Sequence, residues 1–556
     1  MIADEPITGI FVSVIALYLG GLALLTWVSY RKTDSVKEFL AMGGTAGSFL
    51  TGFAYFATQF SMSSLVGVPG TLYFVGVAGL GIILPVAMLS MAFGTLVAGR
   101  RLNALSHSLE LWTLPDYLAS RFNSNTIRLL AALMIMVFLI PYIAAQLVGA
   151  GVIFNVFTGG SYSLGVVIMG TVVVAYCMLG GMRAAVLTDA LQAVLMIAAA
   201  IMTFAATVAR GGGIEQVTGR LAAVNPGALS FPGAPHALLD WRGYASQILM
   251  WTLFSLGQPQ LVNKFFVARS YNALVGASLL SGVAMTLTCV TIWSAGAMAA
   301  VVVPGISEPD WVVPTLLRAT TGPVVASTVQ AGILAAGMST IDSILLMIGA
   351  AFSRDLYGKV LRPGADDRTV LRVSRNATLV AGLVALALAF GRPATIFQMV
   401  LFGWSGTGIL AVAVLAGLYW RRATAAGASA GTVAGVAALL AATFAFPGLA
   451  LGFHPIVVAA ATGCLVLGGV SLLTRPAPES VLQLHFAPGD PGAGRRDRRY
   501  APVFAACFFV PWLPIPFVFP WKRYLAGWFG VPVFVWVWLG LQVVAGTSLA
   551  LYRRKA

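Results

Sequence analysis

The sequence predicts an all-α protein that crosses a membrane many times. Of its 556 residues, 59% are hydrophobic and only 9% are charged, whereas soluble domains carry roughly 25% charged residues. The mean hydropathy is +0.90. The apolar residues also form long continuous runs, and a helix needs about 20 such residues to span a bilayer. These observations exclude an ordinary soluble enzyme and predict a polytopic membrane protein with about fifteen transmembrane helices.

The predicted spans follow one another through mostly short polar connections. They cover residues 8–30, 47–75, 77–99, 128–157, 162–181, 184–209, 243–268, 272–303, 322–353, 374–391, 394–420, 423–447, 453–474, 501–519 and 526–551. The acidic start of the chain lacks the basic segment of a cleavable signal peptide, so the first span is expected to be retained. The longest connection, 210–242, is rich in glycine and proline and is expected on the outside.

The basic residues predict the orientation. Lys and Arg number 33 against 18 Asp and Glu, which gives a net charge of +15. With the N-terminus outside, 26 of the 33 basic residues, Lys264 among them, fall in inner connections and 7 fall outside. Because basic connections stay in the cytoplasm, the charge indicates a membrane topology with a cytoplasmic C-terminus. It does not indicate binding to nucleic acid.

Cysteine and histidine patterns give no signature of catalysis or of a metal cluster. The four cysteines and the four histidines are scattered, and the sequence has no nucleotide-binding motif. Neither a membrane enzyme nor an ATP-driven pump is therefore predicted. The expected partners are a small-molecule substrate and the lipid bilayer, and the oligomeric state stays open.

One internal boundary is predicted near the C-terminus. Residues 476–499 form a polar, basic cytoplasmic linker that ends in the run RRDRR, at 495–499. The linker separates a transport domain, 1–475, from a C-terminal two-helix hairpin, 500–556. In the transport domain, a leading helix precedes two groups of five helices, at about 47–209 and 243–420, and two further helices follow.

Helix breakers interrupt the first helix of each five-helix group. Gly67, Pro69 and Gly70 lie in the first of these helices, and Gly257 and Pro259 lie in the second. Pro and Gly weaken helices, and a broken backbone at membrane depth is tolerated where it lines a cavity. The paired breaks therefore predict a transporter of inverted repeats that binds solute and ion at the membrane midplane.

Two carboxylates lie deep in apolar spans. Asp189 and Asp342 are candidate functional residues because an ionised group inside a membrane is costly unless it is hydrated, paired or protonated. Ser339, Asp342 and Ser343 share one helix face, and their oxygens suit a hard cation such as Na⁺. The alternative is that each carboxylate only packs against nearby hydroxyls or, for Asp189, against Arg183.

Six stretches of the chain form a distinctive set. They are FSMSSLVGVPG at 60–70, TLPDYL at 113–118 with RF at 121–122, LTDALQ at 187–192, GQP at 257–259, AAGMST at 335–340 and SRDLY at 353–357. Together they resemble the sodium/solute symporter family, which includes the bacterial proline, pantothenate, acetate and sugar symporters. The resemblance covers roughly residues 8–475. It implies the leucine-transporter-like fold, a 5+5 inverted repeat with one helix before it and others after it, and a location in the bacterial inner membrane.

The resemblance also implies a sodium site. Its ligands correspond to the carbonyls of Ala57, Phe60 and Ala336 and the hydroxyls of Ser339 and Thr340. The presence of both hydroxyls favours Na⁺ coupling over H⁺ coupling.

A second ion site follows from the same resemblance. Family members that use two coupling ions have an acid at the position of Asp189 and hydroxyls around the position of Asp342. Asp189, Asp342 and Ser343 are therefore predicted to form a second cation site or a proton site.

Substrate contacts are expected around the two breaks. The candidate residues are Gln59, Ser61, Ser63, Ser64, Tyr142, Trp251, Ser255 and Gln258. Tyr142 and Trp251 correspond to an aromatic pair of the proline symporters. Those proteins carry an aspartate at the position of Gln59 and a further aromatic residue at that of Ser255, so proline is disfavoured. A Na⁺-coupled importer of an organic anion, such as a monocarboxylate or pantothenate, is predicted. A Na⁺/amino acid symporter is the alternative, and a membrane sensor is less favoured because no kinase segment follows.

Overall fold

The computed structural model describes residues 7–30, 42–77, 80, 90–225, 227–229, 240–486 and 533–555, whose regular structure is helical. The helices of the first half are α1 Thr8–Tyr30, α2 Ser48–Gln59, α3 Val68–Val75, α4 Arg100–Leu109, α5 Leu114–Phe122, α6 Asn125–Thr158, α7 Tyr162–Gly211 and α8 Ile214–Val224. Those of the second half are α9 Trp241–Gly257, α10 Pro259–Val267, α11 Tyr271–Thr288, α12 Ser294–Val302, α13 Val312–Thr320, α14 Pro323–Ala350, α15 Asp367–Gly391, α16 Ile396–Gly408, α17 Leu410–Tyr419, α18 Ala425–Leu440, α19 Pro455–Leu473, α20 Glu479–His485 and α21 Val533–Lys555.

Long apolar helices account for most of the predicted spans. The described residues contain 9 helical segments with the length and hydropathy needed to cross a membrane: Thr8–Trp27, Asn125–Thr158, Met182–Gly211, Tyr271–Val302, Pro323–Leu361, Asp367–Gly391, Ile396–Tyr419, Ala425–Ala445 and Pro455–Leu473. The predicted span 501–519, residues 78–79 and 81–89 of the predicted span 77–99 and the start of 526–551 lie outside the described residues. The total of fifteen helices therefore stays a prediction.

One detail of the predicted helix map is wrong: no loop interrupts the chain at Arg183, because α7 continues as one helix from Tyr162 to Gly211. The pair Gly180-Gly181 lies inside that helix, and glycine lowers helix stability by only about 1 kcal/mol per residue relative to alanine. The connection at 210–242 also contains regular structure, since α8 lies within it.

The centre of the bundle is α14. The most apolar 18-residue stretch of α14 is entirely buried, whereas only 11% of the corresponding stretch of α1 is buried. Gly332 allows α14 to approach α7 closely, because a Cβ atom there would lie 2.7 Å from the carbonyl oxygen of Leu195. Helix α2 packs against α7, α10, α11 and α14. Residues from these helices therefore meet in the middle of the protein.

The C-terminal segments pack onto the outside of this bundle. In α20, the imidazole Nε2 of His485 lies 3.1 Å from Ser120 Oγ, and its ring lies edge-on to the ring of Tyr117 in α5. In α21, Ala545 and Leu549 are buried against the region of α11. The predicted linker thus begins with a docked helix, and α21 corresponds to the second helix of the predicted hairpin.

Candidate sodium and solute site

The first helix of the first group is broken between α2 and α3. Phe60, whose carbonyl is a predicted sodium ligand, is extended with φ −87° and ψ 103°. Gln146 of α6 accepts a hydrogen bond from the Met62 N–H at 2.8 Å, and Ser61 Oγ accepts one from the Ser63 N–H at 3.1 Å. Side chains therefore satisfy the backbone groups that the break releases, as an interruption at membrane depth requires.

This break does not coincide with the glycine and proline residues that predicted it. Pro69 lies in the first turn of α3, where a helix tolerates proline. Gly70 is a packing residue, since a Cβ atom there would lie 2.0 Å from the carbonyl oxygen of Pro309. The interruption occurs several residues earlier, at Phe60, and depends on hydrogen bonds from side chains.

The first helix of the second group has a matching break. Gln258, between α9 and α10, has φ −81° and ψ 110°, close to the values at Phe60. Pro259 begins α10, as its position predicts. The Gln258 side chain donates to Thr407 Oγ1 and accepts a hydrogen bond from Gln260 Nε2 at 3.0 Å. Equivalent breaks in the first helices of both groups are what an inverted repeat requires.

Four of the five predicted sodium ligands, all except Phe60, are joined by short contacts where α2 meets α14. Ser339 Oγ lies within hydrogen-bonding distance of the carbonyl oxygens of Ala57, at 2.8 Å, and Ala336, at 3.1 Å. Thr340 Oγ1 lies 2.9 Å from the Ala336 oxygen and 3.5 Å from the Thr58 oxygen. All of these residues are fully buried. Two hydroxyls and several carbonyls, supplied by two helices, form an all-oxygen set that fits Na⁺.

Asp189 is paired with a buried lysine. Lys264 Nζ lies 3.2 Å from Asp189 Oδ2 and 3.4 Å from Ser343 Oγ. Thr58 Oγ1 donates to the same Asp189 oxygen at 3.3 Å and lies 3.1 Å from Ser343 Oγ. Asp342, which precedes Ser343, is also buried. The prediction that Lys264 belongs to an inner connection is wrong, because every residue of α10 is buried inside the bundle.

Tyr142 and Trp251 lie on two sides of Trp404, a residue that the sequence pattern does not single out. The ring of Trp404 is 6.1 Å from that of Tyr142 and 4.9 Å from that of Trp251, both edge-on, and 4.3 Å from that of Phe254. The Tyr142 hydroxyl interacts with Trp404 and Ser61, whereas the Trp251 indole N–H and the Ser63 hydroxyl are buried without a hydrogen-bond partner among the described residues. Buried polar groups are normally paired, so these atoms mark a place for a polar ligand.

Other predicted substrate residues are engaged with the protein. Gln59 Oε1 accepts a hydrogen bond from Ser90 Oγ at 2.7 Å, and the Ser64 carbonyl accepts one from Trp293 Nε1 at 2.7 Å. Ser255 Oγ donates to its own helix at 3.3 Å. These bonds hold the backbone around the breaks, and a substrate would displace some of them in order to bind these groups.

A largely buried ionic cluster connects α5 and α6 with the helical segment Ala351–Leu361, which continues α14. Arg128 pairs with Asp116 at 2.6 Å and with Asp355 at 3.0 Å, and Arg354 pairs with Asp116 at 2.8 Å. Thr113 Oγ1 donates to Asp355 at 3.0 Å. Burial raises the pKa of Asp116, but the positive charges of Arg354 and Arg128 outweigh burial and hold the pKa below its usual range. The motif stretches at 113–118 and 353–357 therefore form one contact between the two groups.

Paired helix breaks, a central helix with adjacent hydroxyls and a buried ionic contact between the groups define a secondary transporter of inverted repeats. Residues 39–435 match the sodium:solute symporter family, and the chain belongs to that family. It is 29% identical over 470 residues to the high-affinity proline transporter PutP of Bacillus subtilis (strain 168). The aligned region covers 82% of this chain and 97% of that protein.

Two further comparisons agree with this assignment. The sodium/pantothenate symporter of Haemophilus influenzae (strain ATCC 51907 / DSM 11121 / KW20 / Rd) is 27% identical over 423 residues, which is 75% of this chain and 87% of that protein. A Na⁺-coupled sialic acid symporter, solved in a substrate-bound outward-open state, matches with a TM-score of 0.72 at 18% identity and covers 84% of this chain and 99% of that chain.

Family membership decides the class of activity. The chain is a Na⁺-coupled symporter embedded in a membrane as a multi-pass protein, with Na⁺ as its coupling ion, and it is not an enzyme. The structural match confirms the predicted leucine-transporter-like fold. The transported solute needs a separate argument from the site.

Proposed function

We propose that the solute is a small organic anion, such as a monocarboxylate or pantothenate, which enters with Na⁺ by alternating access. The observation that supports this is the buried indole N–H of Trp251, which lies beside Trp404 and has no hydrogen-bond partner within the described part of the chain, together with the equally unpaired hydroxyl of Ser63 at the first break. Indole can only donate a hydrogen bond, and a carboxylate can only accept. No predicted substrate residue is acidic, so none of these side chains repels an anion.

Sodium binding would connect the two halves of the site. The proposed ligands Ala57 and Phe60 belong to the first broken helix, and Ala336, Ser339 and Thr340 belong to α14. A cation shared by these oxygens would fix the end of α2 against the central helix. The aromatic side of the same break, at Ser63 and Tyr142, would then be ready for the solute, and this is how Na⁺ binding would favour solute binding.

We also infer the placement of the chain in the membrane. The N-terminus lies outside and the C-terminus in the cytoplasm, which puts the cluster around Asp116 at the cytoplasmic end of the bundle. Residues 1–475 form the transport domain, 476–499 the basic linker and 500–556 the C-terminal hairpin. The support is the distribution of basic residues, which favours inner connections.

An amino acid such as proline is the second candidate. Several relatives are named as proline transporters or symporters, including those of Bacillus subtilis and Escherichia coli. The faces of Trp251, Trp404 and Tyr142 would also attract the ammonium group of a zwitterion through cation–π contacts. A free carboxylate is common to both classes, and the presence or absence of a cationic group separates them.

A ligand screen in two salts tests the proposal. The purified protein is heated with monocarboxylates, pantothenate or L-proline in Na⁺ or in K⁺, and each ligand that raises the melting temperature is then tested for uptake by proteoliposomes. We expect an organic anion without an ammonium group to stabilise the protein and to accumulate only in Na⁺. Stabilisation and uptake of L-proline alone would replace the anion by the amino acid.

Two tryptophan variants complete this experiment. Trp251→Ala should weaken the response to the selected ligand because it removes one indole donor and one wall of the aromatic cluster. Trp241→Ala is the matched control, since Trp241 is 54% exposed at the start of the same helix. Equal ligand responses in the two variants would refute the placement of the substrate.

A further inference from the structure

The ammonium group of Lys264 lies in the position predicted for a second cation. Its exposed fraction is 1%. Around it converge one carboxylate oxygen of Asp189, at 3.2 Å, and the hydroxyl of Ser343, at 3.4 Å. The hydroxyl of Thr58 contacts both of these oxygens, at 3.3 Å and 3.1 Å. One carboxylate and two hydroxyls are oxygen ligands of the kind that a hard cation prefers.

We propose that Lys264 serves as a built-in second cation, so that the protein binds a single Na⁺. A buried carboxylate needs a positive partner or a set of hydrogen bonds in the membrane interior. A second Na⁺ could meet that need for Asp189, and so can an ammonium group that belongs to the chain. With Nζ already between Asp189 Oδ2 and Ser343, a metal ion at the same point would meet a like charge at close range.

The alternative is an ion pair that serves only to hold α7 against α10. Such a pair would also be buried, and breaking it would also destabilise the protein. The two interpretations differ in what happens when the ammonium group alone is removed. If the ion pair only holds the two helices together, removal of the ammonium group leaves an uncompensated carboxylate. If Lys264 occupies a cation site, its removal leaves a pocket of oxygens that a Na⁺ ion can enter.

The contact with the first sodium site gives the lysine a part in coupling. The Thr58 hydroxyl touches Asp189 and Ser343, while its carbonyl lies 3.5 Å from Thr340 Oγ1. Thr58 follows directly after Ala57, a proposed Na⁺ ligand. Lys264 is covalently attached to α10, the second half of the other broken helix. Its charge therefore stays with the protein through the transport cycle, whereas a second Na⁺ would be carried across and released.

Counting bound sodium ions tests this inference directly. The purified full-length protein is equilibrated with radiolabelled Na⁺ in detergent, and the number of ions bound per chain is measured at saturation. We expect one ion in the wild type. Lys264→Met removes the ammonium group and keeps a long side chain, and we expect two ions in this variant because Asp189 then needs an external cation.

Two matched variants separate charge from packing. Lys264→Arg keeps a positive charge and should still bind one ion. The double variant Lys264→Met with Asp189→Asn removes both charges and should also return to one ion. If Lys264→Met is not monodisperse on size-exclusion chromatography, Lys264→Gln replaces it. The number of Na⁺ ions bound by the wild type can be measured without any variant.

The outcomes that contradict the inference are distinct. Two ions in the wild type, one ion in folded variants that lack the ammonium group, or two ions in Lys264→Arg would each overturn the role of the lysine. The inference rests on the first sodium site of the proposed function. If the wild type binds no Na⁺, both the first sodium site and the expected single bound ion are refuted. If the wild type binds two Na⁺ ions, only the role of Lys264 is refuted.

Discussion

Removal of the Ser339 hydroxyl should weaken Na⁺ binding more than removal of the Thr340 hydroxyl. Ser339 Oγ lies 2.8 Å from the carbonyl of Ala57 and so joins α14 to α2 across the proposed site. Thr340 Oγ1 bonds mainly within its own helix, to Ala336 at 2.9 Å, and is 3.5 Å from the Thr58 carbonyl on α2. The serine is therefore already placed to share a cation with the other helix.

The size of the effect follows from the loss of one buried oxygen that faces a charge. Polar contacts to a charged group contribute about 1.5–3 kcal/mol, which corresponds to an increase of about 10- to 150-fold in a dissociation constant. We expect Ser339→Ala near the upper end of this range and Thr340→Ala near the lower end. Ser339→Thr and Thr340→Ser keep the oxygen and should change Na⁺ affinity by less than about tenfold.

The assay is equilibrium binding of radiolabelled Na⁺ to purified protein, with the melting temperature as a check on folding. Ser327→Ala provides a control on the same helix, because Ser327 is equally buried but far along α14 from the site. Its Na⁺ affinity should match that of the wild type. Unchanged affinity in both Ser339→Ala and Thr340→Ala, or an equal loss in Ser327→Ala, would refute the proposed ligands.

Three side chains outside the sodium site give further tests. Trp404→Ala should raise the half-saturating concentration of the selected solute because it removes the ring that positions Tyr142 and Trp251 at the proposed solute site; a loss of about 1.4 kcal/mol in binding would give about a tenfold increase, and an unchanged value would contradict the aromatic cluster. Asp116→Asn should destabilise the protein by about 1–3 kcal/mol because it leaves two partly buried arginines with one partner fewer, whereas the exposed control Asp367→Asn should change stability by less than about 0.5 kcal/mol; equal melting temperatures would contradict this. Burial, with the charge of Arg121, lowers the pKa of His485 to about 4 from 6.5, so docking of α20 is complete above the ordinary pKa and weakens as pH falls toward the lower value; the protection of α20 from hydrogen exchange, relative to the intrinsic exchange rate at each pH, should fall on acidification, and His485→Asn should abolish that dependence.

Continuous hydrophobic runs predict the helices well because burial in lipid depends on composition over many residues. The predicted span 128–157 corresponds to α6, Asn125–Thr158, within a few residues. Features decided by a few hydrogen bonds are harder to predict. The first break depends on Gln146, which lies 84 residues beyond the Met62 N–H that it caps. No local pattern around Phe60 reveals that partner.

In the candidate site too, a local sequence pattern reveals some residues, whereas others act through distant contacts that no local pattern shows. Ser339 and Thr340 attract notice because adjacent hydroxyls in an apolar helix are unusual and match a family motif. Lys264 and Trp404 act through contacts with residues distant in sequence, such as Asp189, which is 75 positions from Lys264. A signal for the lysine did exist: it lies inside the predicted span 243–268. The rule that makes a buried aspartate a functional candidate applies equally to a lysine there.

The pair of Lys264 and Asp189 also bears on how the membrane potential acts on transport. A carrier that takes up one Na⁺ with one monocarboxylate moves no net charge, so its accumulation of solute should follow the Na⁺ gradient alone. The same carrier with a zwitterion moves one positive charge per cycle. A potential of about 100 mV would then add about 2.3 kcal/mol, or roughly a 50-fold higher accumulation ratio. A lysine that takes the place of a second ion would thus let a cell gather an anionic nutrient without drawing on its electrical gradient.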